Sequence, residues 1–117
     1  MGWTLDAVPG VRRDLVSIAH FIRQSAIAKG EPPSRAIAMA DRRLEKIGAD
    51  AIALTHAPYQ STRCPELGQN TRRVTKDRAI FYFDLNEDRQ IIRLLAIFYG
   101  GQDHDPRILA RLLTPEP

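Results

Sequence analysis

The sequence predicts an α+β fold in which a small antiparallel sheet packs against an α-helical hairpin. In the first half of the chain, apolar residues recur every three or four positions, as on one face of a helix. After residue 70 the period changes to two, as in β-strands, and turn-forming residues separate three such runs. We expect one domain over residues 1–117, with the helices covering one face of the sheet.

The N-terminal segment predicts a short strand followed by a helix. Apolar and polar residues alternate over residues 3–8, and Pro9 suits the first helical position, where an N–H group would have no partner. Gly30 and the pair Pro32–Pro33 are expected to end this helix and begin the next. The apolar stripe of the first helix is Val11, Leu15, Ile18 and Ile22, widened by Phe21.

The second helix has the clearest periodic signal in the chain. Its apolar residues follow alternating steps of three and four, and cationic residues occupy the opposite face. The short connection predicts an antiparallel pair of helices, and the second helix should end before Pro58. The apolar residues are Ile37, Ala40, Leu44, Ile47, Ala51 and Leu54, and the cationic ones are Arg35, Arg42, Arg43 and Lys46.

The second half of the chain predicts a loop and then a three-strand meander. Prolines and a glycine disfavour regular structure over residues 56–69. Strands are expected over residues 70–76, 79–85 and 90–99. The last is apolar on both faces, which is typical of a central strand. The N-terminal strand is expected to pair beside this strand or at an edge.

The C-terminal residues predict a short helix. Asp105 suits its cap and Pro106 its first position. The apolar residues of this helix are Ile108, Leu109, Leu112 and Leu113.

Composition excludes several classes of protein. The single cysteine, Cys64, rules out an internal disulfide and a CxxC metal site. The longest apolar run, residues 94–99, is too short to cross a membrane, and charges come too early for a signal peptide. We expect a cytoplasmic protein with no membrane association, cofactor or metal.

The mild excess of positive charge permits an anionic partner. Lys+Arg number 17 against 14 Asp+Glu, and all but Lys29, Lys46 and Lys76 are arginines. Arg72 or Arg73, with Arg93, is predicted to make a cationic face on the sheet that suits phosphates or an acidic peptide. The alternative is a solvated face with scattered ion pairs. Tyr82 and Tyr99 are either stacking groups beside this face or core aromatics.

The three histidines are far apart, so no metal-ligand spacing or fixed catalytic base is evident. His20 and His56 are best explained as surface or packed residues. Gln102 and His104 are stronger candidates, because they follow a central strand on a loop. The alternative is that Asp103 and Asp105 beside them only turn the chain and cap the last helix.

Nearly the whole chain, from about Trp3 to Leu113, resembles the RelE/ParE superfamily of toxins from bacterial toxin–antitoxin systems. The similarity lies in residues 13–22, the Pro65–Gly68 loop, residues 77–83 and residues 93–104. The order of the predicted elements is also that of the family. The resemblance implies a small cytoplasmic toxin that a cognate antitoxin holds inactive.

The resemblance implies two possible targets. ParE-like members poison DNA gyrase, whereas RelE-like members cleave messenger RNA on the ribosome without a metal. The candidate catalytic residues of a nuclease would be Arg72, Arg73, Arg93 and His104. However, Gly100–Gln102 stands where a nuclease tends to carry Lys or Arg, and a late tyrosine has no clear match. The ParE-like branch is therefore favoured, and a remnant that only binds antitoxin remains a third alternative.

The expected contact surface for the antitoxin or the target follows from these assignments. It combines the cationic face with the loop after the last strand and with part of the apolar surface of the helical hairpin. An acidic, amphipathic antitoxin segment that folds on binding would suit it. The expected contact residues are Arg72, Arg73, Arg93, Tyr99, Gln102 and His104.

Overall fold

The computed structural model describes residues 2–100, and its elements follow the predicted order. The predicted C-terminal helix lies outside the described residues. A single 3₁₀ turn in the described part, Leu54–His56, follows the second helix. The elements are β1 (Thr4–Ala7), α1 (Gly10–Ala28), α2 (Pro33–Ala53), β2 (Thr62–Arg63), β3 (Thr71–Lys76), β4 (Ala79–Asn86) and β5 (Ile91–Tyr99).

The strands form one sheet in the order β1-β5-β4-β3-β2, which confirms the N-terminal strand beside the last one. The three-strand meander is antiparallel, as predicted. However, β1 runs parallel to β5, with Thr4 opposite Ile91, so the sheet is mixed. The loop expected over residues 56–69 contains the short strand β2, antiparallel to β3.

The connection between the helices is built as the sequence predicts. Gly30 has a φ of 96°, a left-handed conformation that glycine adopts at little cost. The Gly30 amide donates to the carbonyl of Ile27 and the Glu31 amide to that of Ala26, both at 3.0 Å. This pattern is the Schellman motif, which satisfies the last carbonyls of α1. Pro33 then occupies the first position of α2.

The main core lies between the helices and one face of the sheet. Ile18 of α1 and Ile47 of α2 are buried there together with Phe81, Phe83 and Ile92 of the central strands. At the start of α2 the buried face differs from the predicted one. Ala36 is buried there, whereas Ile37, predicted to be in the apolar stripe, is 50% exposed. A small residue lets the two helices approach each other closely at this end.

A second, smaller core lies on the other face of the sheet. Tyr82 and Phe98 pack there edge to face, with ring centroids 5.5 Å apart. Cys64, which is buried, and Leu67 cover part of this face from the loop between β2 and β3. The Cys64 amide donates to the Thr71 carbonyl at 2.9 Å, which fixes the loop to β3. β5 is therefore apolar on both faces, as predicted for a central strand.

A buried carboxylate joins α1 to the centre of the sheet. Tyr82 pairs with Ala96 and Phe83 with Leu94, so β5 contains one extra residue, a β-bulge. The pairing of β1 with β5 ends at Leu94. Beyond that point the Ile97 amide donates to Asp14 Oδ2 of α1 at 3.0 Å, and Asp14 is only 7% exposed. The helix thus satisfies an amide on the side of β5 that β1 no longer covers.

Within residues 2–100, neither helix is long and apolar enough to cross a membrane.

Asp14→Ala is expected to destabilise the fold by about 1–3 kcal/mol, because it leaves a buried amide without its acceptor. Urea denaturation would measure the loss of unfolding free energy. Asp41→Ala is the matched control, since Asp41 is an exposed residue of α2. Replacing Asp by Ala raises the helix propensity by the same amount at both positions, so only the loss of the buried contact differs. Equal stability of the two variants would contradict the role of Asp14.

Candidate functional site

A row of charged side chains crosses the face of the sheet opposite the helices, which we call the open face. Because Ile92 and Leu94 pack toward the helices, alternation places Arg93 on the open face. Arg93 Nη2 lies 3.1 Å from Asp84 Oδ2, on the neighbouring strand β4. Thr71 Oγ1 donates to Asp84 Oδ1 at 2.9 Å from β3. On the other side, Asp6 of β1 is directly opposite Arg93 in the register.

Arg73 is the second cation of the open face. It lies directly opposite Tyr82 in the pairing of β3 with β4, and its side chain is exposed. Hydrogen bonding to the Tyr82 side chain raises the pKa of Arg73 above its usual value. Two strand spacings and one two-residue step separate Arg73 from Arg93, which corresponds to roughly 12 Å between their Cα atoms.

Arg72 points to the opposite side of β3 and is held at the edge of the sheet. Its Nε donates to Ser61 Oγ at 2.7 Å and its Nη2 to the Ser61 carbonyl at 3.1 Å. Its guanidinium also lies over the Tyr59 ring, 5.6 Å from the centroid. The structure therefore brings Arg73 and Arg93 to one face and separates Arg72 from them.

Tyr99 is enclosed by neighbouring side chains, with only 3% of its surface exposed. The Arg43 guanidinium lies 5.7 Å and that of Arg78 lies 4.8 Å from the centroid of its ring. Phe21 packs edge to face against it at 6.2 Å. In this arrangement Tyr99 is a core aromatic, which was one of its two predicted roles.

The turn between β3 and β4 is attached to α2 by an ion pair. Asp77 and Arg78 have φ angles of 48° and 76°, and such left-handed pairs favour two-residue hairpin turns. Arg43 Nη1 lies 2.7 Å from Asp77 Oδ2. This hydrogen bond lowers the pKa of Asp77, although its partial desolvation opposes the shift. Arg78 Nη2 donates to the Gly100 carbonyl at 2.8 Å, so the same turn also holds the end of β5.

The two remaining predicted site residues, Gln102 and His104, lie outside the described residues. His20 and His56 are exposed, on α1 and in the 3₁₀ turn. In the described part of the chain, no group of three or more histidine, cysteine or acidic residues is placed to hold a metal ion.

The sequence prediction missed Asp84 as the partner of Arg93. A usable signal was present, because Asp84 interrupts an apolar strand just as Arg93 does. Two such charges on adjacent strands favour a cross-strand pair, but only the register shows that they meet. The extra residue at the bulge sets that register, and alternation along the sequence does not reveal it.

The whole fold is similar to chains in solved toxin–antitoxin structures. A chain from the crystal structure of the toxin–antitoxin complex RelBE2 of Mycobacterium tuberculosis superposes with a TM-score of 0.58 at 16% sequence identity. The match covers 85% of this chain and 99% of that one. The chain has the RelE/ParE fold. The resemblance noted in the sequence is thus confirmed at the level of the fold.

A second RelE/ParE structure matches equally well. A chain of the chromosomal ParDE toxin–antitoxin system of P. aeruginosa gives a TM-score of 0.59 at 17% identity, over 84% of this chain and 96% of that one. The two scores do not separate the RelE-like from the ParE-like branch. A scan against protein-family models finds no match, and neither does a comparison with curated proteins.

Asp77→Asn is expected to lower stability near neutral pH and to have little effect in acid. The pKa of Asp77 is lowered in the folded state. Its ion pair therefore stabilises the fold at pH values above the usual aspartate pKa of about 4. That contribution is lost as the pH falls through the folded-state pKa. Denaturation at about pH 7 and about pH 2.5 would measure the difference.

Asp88→Asn is the matched control, because Asp88 is an exposed aspartate in the turn between β4 and β5. Arg43→Gln should remove the same pH-dependent contribution, and combining it with Asp77→Asn should cause little further loss. An effect of Asp77→Asn that is the same at both pH values would contradict this assignment.

Proposed function

We propose that this chain is the toxin component of a type II toxin–antitoxin system, acts in the cytoplasm and is neutralised by a cognate antitoxin. The observation that carries the proposal is the shared fold with chains from two toxin–antitoxin structures, each matched over more than four fifths of this chain. Fold alone does not determine function, so the surface of this chain must suit the role as well.

The open face and the helical hairpin together suit an acidic, amphipathic antitoxin segment. Arg73 and Arg93 lie on one face with their Cα atoms roughly 12 Å apart, a distance that an extended peptide spans with about four residues. The helices add exposed apolar side chains, with Val16 65% and Ile52 60% exposed. A disordered segment that folds on binding can reach both surfaces, because it wraps around a small domain.

Inhibition by binding, with DNA gyrase as the favoured target, agrees better with this geometry than RNA cleavage does. A nuclease needs cations that are aimed at the charge developing on the phosphate. Arg93 is paired with Asp84, and Arg72 is held by Ser61 on the other side of the strand. Of the three predicted arginines, this leaves Arg73 on the open face. Among residues 2–100 it forms no ion pair with a carboxylate.

Expression of the chain alone is expected to arrest the growth of a bacterial host. Co-expression of the antitoxin, encoded by the reading frame beside this one, should restore growth because the complex blocks the toxic surface. Colony counts after induction measure both effects. Unaffected growth at high soluble expression would contradict the proposal, and an Asp14→Ala variant provides a destabilised control.

The purified chain is expected to increase DNA cleavage by gyrase and to leave ribosome-bound messenger RNA intact. Gyrase cleavage assays and toeprinting on translating ribosomes, run side by side, measure the two activities. Codon-specific cleavage of messenger RNA without an effect on gyrase would reverse this choice of target. Inactivity in both assays with antitoxin binding intact would identify a remnant that only binds antitoxin.

Arg73→Gln combined with Arg93→Gln is expected to weaken antitoxin binding at least about tenfold and to reduce its salt dependence. Glutamine avoids placing another carboxylate beside Asp84. Titration calorimetry at low and high salt measures both changes. The control pair is Lys29→Gln with Arg89→Gln, two exposed cations outside the open face and distant in sequence from Val16 and Ile52. Equal losses in the two pairs would exclude a specific role of the open face.

A further inference from the structure

The turn between β3 and β4 places an arginine in a backbone conformation that favours glycine. Asp77 and Arg78 have φ angles of 48° and 76°. Two-residue hairpin turns with two such angles prefer Asn-Gly or Asp-Gly, so Arg78 stands where a glycine would cost least. A left-handed arginine persists only where its surroundings hold it, and switch regions are among the places where such residues cluster. The contacts of the Arg78 side chain therefore need an explanation beyond closing the hairpin.

Arg78 holds the end of β5 through both its backbone and its side chain. The Gly100 amide donates to the Arg78 carbonyl at 2.6 Å, and Arg78 Nη2 donates to the Gly100 carbonyl at 2.8 Å. The guanidinium also lies 4.8 Å from the centroid of the Tyr99 ring. A glycine at position 78 would keep the first of these contacts and lose the other two. The arginine side chain thus fixes the last residues of β5 at the cost of an unfavourable backbone conformation.

The same turn is held from α2. Arg43 Nη1 lies 2.7 Å from Asp77 Oδ2, and the Arg43 guanidinium lies 5.7 Å from the centroid of the Tyr99 ring. One ring at the end of β5 therefore contacts a cation from α2 and a cation from the turn. Asp77 offsets the repulsion between them, since its pKa is lowered by the hydrogen bond to Arg43 and also by the charge of Arg78. Loss of Arg43 from Asp77 would release the turn from α2 and weaken the hold of Arg78 on β5.

The contact with α2 is the part of this arrangement that another molecule can reach. The side chains of Arg43 and Asp77 are 28% and 51% exposed. Met39 precedes Arg43 by four residues on α2, so the two side chains are neighbours on the helix, and Met39 is 37% exposed. Ion pairs that are partly in water are weak. A second carboxylate beside Arg43 can therefore compete with Asp77 for the guanidinium.

We propose that the Asp77–Arg78 turn is a clasp that couples α2 to the end of β5. While Arg43 is paired with Asp77 the clasp is closed, and Arg78 holds Gly100. A carboxylate that draws Arg43 away opens the clasp, and the end of β5 becomes free to separate from β4. The proposal does not depend on the proposed function, because the coupling is measured in the isolated chain without growth arrest, gyrase or antitoxin.

The first test is amide hydrogen exchange of the full chain, measured by NMR. Arg78→Gly is expected to raise the exchange rate of the Gly100 amide about tenfold, because a charge-assisted hydrogen bond and a cation–π contact are lost. Gln90→Gly is the matched control, since Gln90 is also left-handed, with a φ of 54°, in the turn at the other end of β5. It should change the exchange rate of Gly100 less than about twofold. The Leu85 amide, which donates to the Asn70 carbonyl, reports on global opening and should exchange as before.

The second test examines the coupling from α2. Arg43→Gln should raise the exchange rate of the Gly100 amide by about three- to tenfold, because the turn loses its ion pair with the helix. Met39→Glu places a competing carboxylate four residues before Arg43 and should act in the same direction, whereas the uncharged Met39→Gln should not. In Met39→Glu the Nε signals of Arg43 and Arg78 and the ring signals of Tyr99 should shift together. In an Arg43→Gln background, Met39→Glu should cause no further change.

Two results of the first test would overturn the proposal. One is an equal rise in the exchange rate of Gly100 in Arg78→Gly and Gln90→Gly, which would indicate that any glycine in a turn loosens the strand. The other is a rise at Gly100 that is matched by an equal rise at Leu85, which would indicate global destabilisation.

Two results of the second test would also overturn it. The first is an effect of Arg43→Gln on Gly100 no larger than that of Arg42→Gln, the matched control at the exposed neighbouring arginine of α2. Such a result would confine the role of Arg43 to the helical layer. The second is an equal effect of Met39→Glu and Met39→Gln, which would exclude competition of a carboxylate for Arg43.

Discussion

The hydrogen bond from the Ile97 amide to Asp14 determines how the two layers of this protein fit together. β1 covers one side of β5 only as far as Leu94, and the chain then turns into α1. The bulge beside Leu94 shifts the register of β5 against β4, and the side chain of Asp14 accepts from the next stretch of that strand. Because the contact is buried and joins residues far apart in sequence, it fixes the helical layer against one register of the sheet.

That register also decides how charge is distributed over the sheet. It pairs Arg93 with Asp84, leaves Arg73 beside Tyr82, and encloses Tyr99 between Arg43 and Arg78. On the open face, Asp84 therefore compensates part of the charge of Arg93, whereas the guanidinium of Arg73 is exposed. This distribution of charge is the reason for proposing that the open face recognises an acidic partner, since stabilising a transition state needs several uncompensated cations that converge.

Most of the fold was predictable from local patterns, whereas the site depended on register. The spacing of apolar residues in α2 and the glycine and prolines at residues 30–33 determined the helical hairpin. β2 was missed because a two-residue strand has no periodicity, and the parallel direction of β1 was missed because local patterns do not specify which strands pair or in which direction. Alternation along β3 is enough to place Arg72 and Arg73 on opposite faces, but the partner of Arg93 comes from a strand pairing that sequence alternation does not specify.

The most direct measurement of the proposed function is the arginine side-chain NMR spectrum of the chain while the product of the neighbouring reading frame, the proposed antitoxin, is added. Binding through the open face predicts that the Nε signals of Arg73 and Arg93 shift in proportion to complex formation, while that of Arg89 stays in place. A saturated complex in which the signals of Arg73 and Arg93 do not move, or the absence of any complex, would contradict the account.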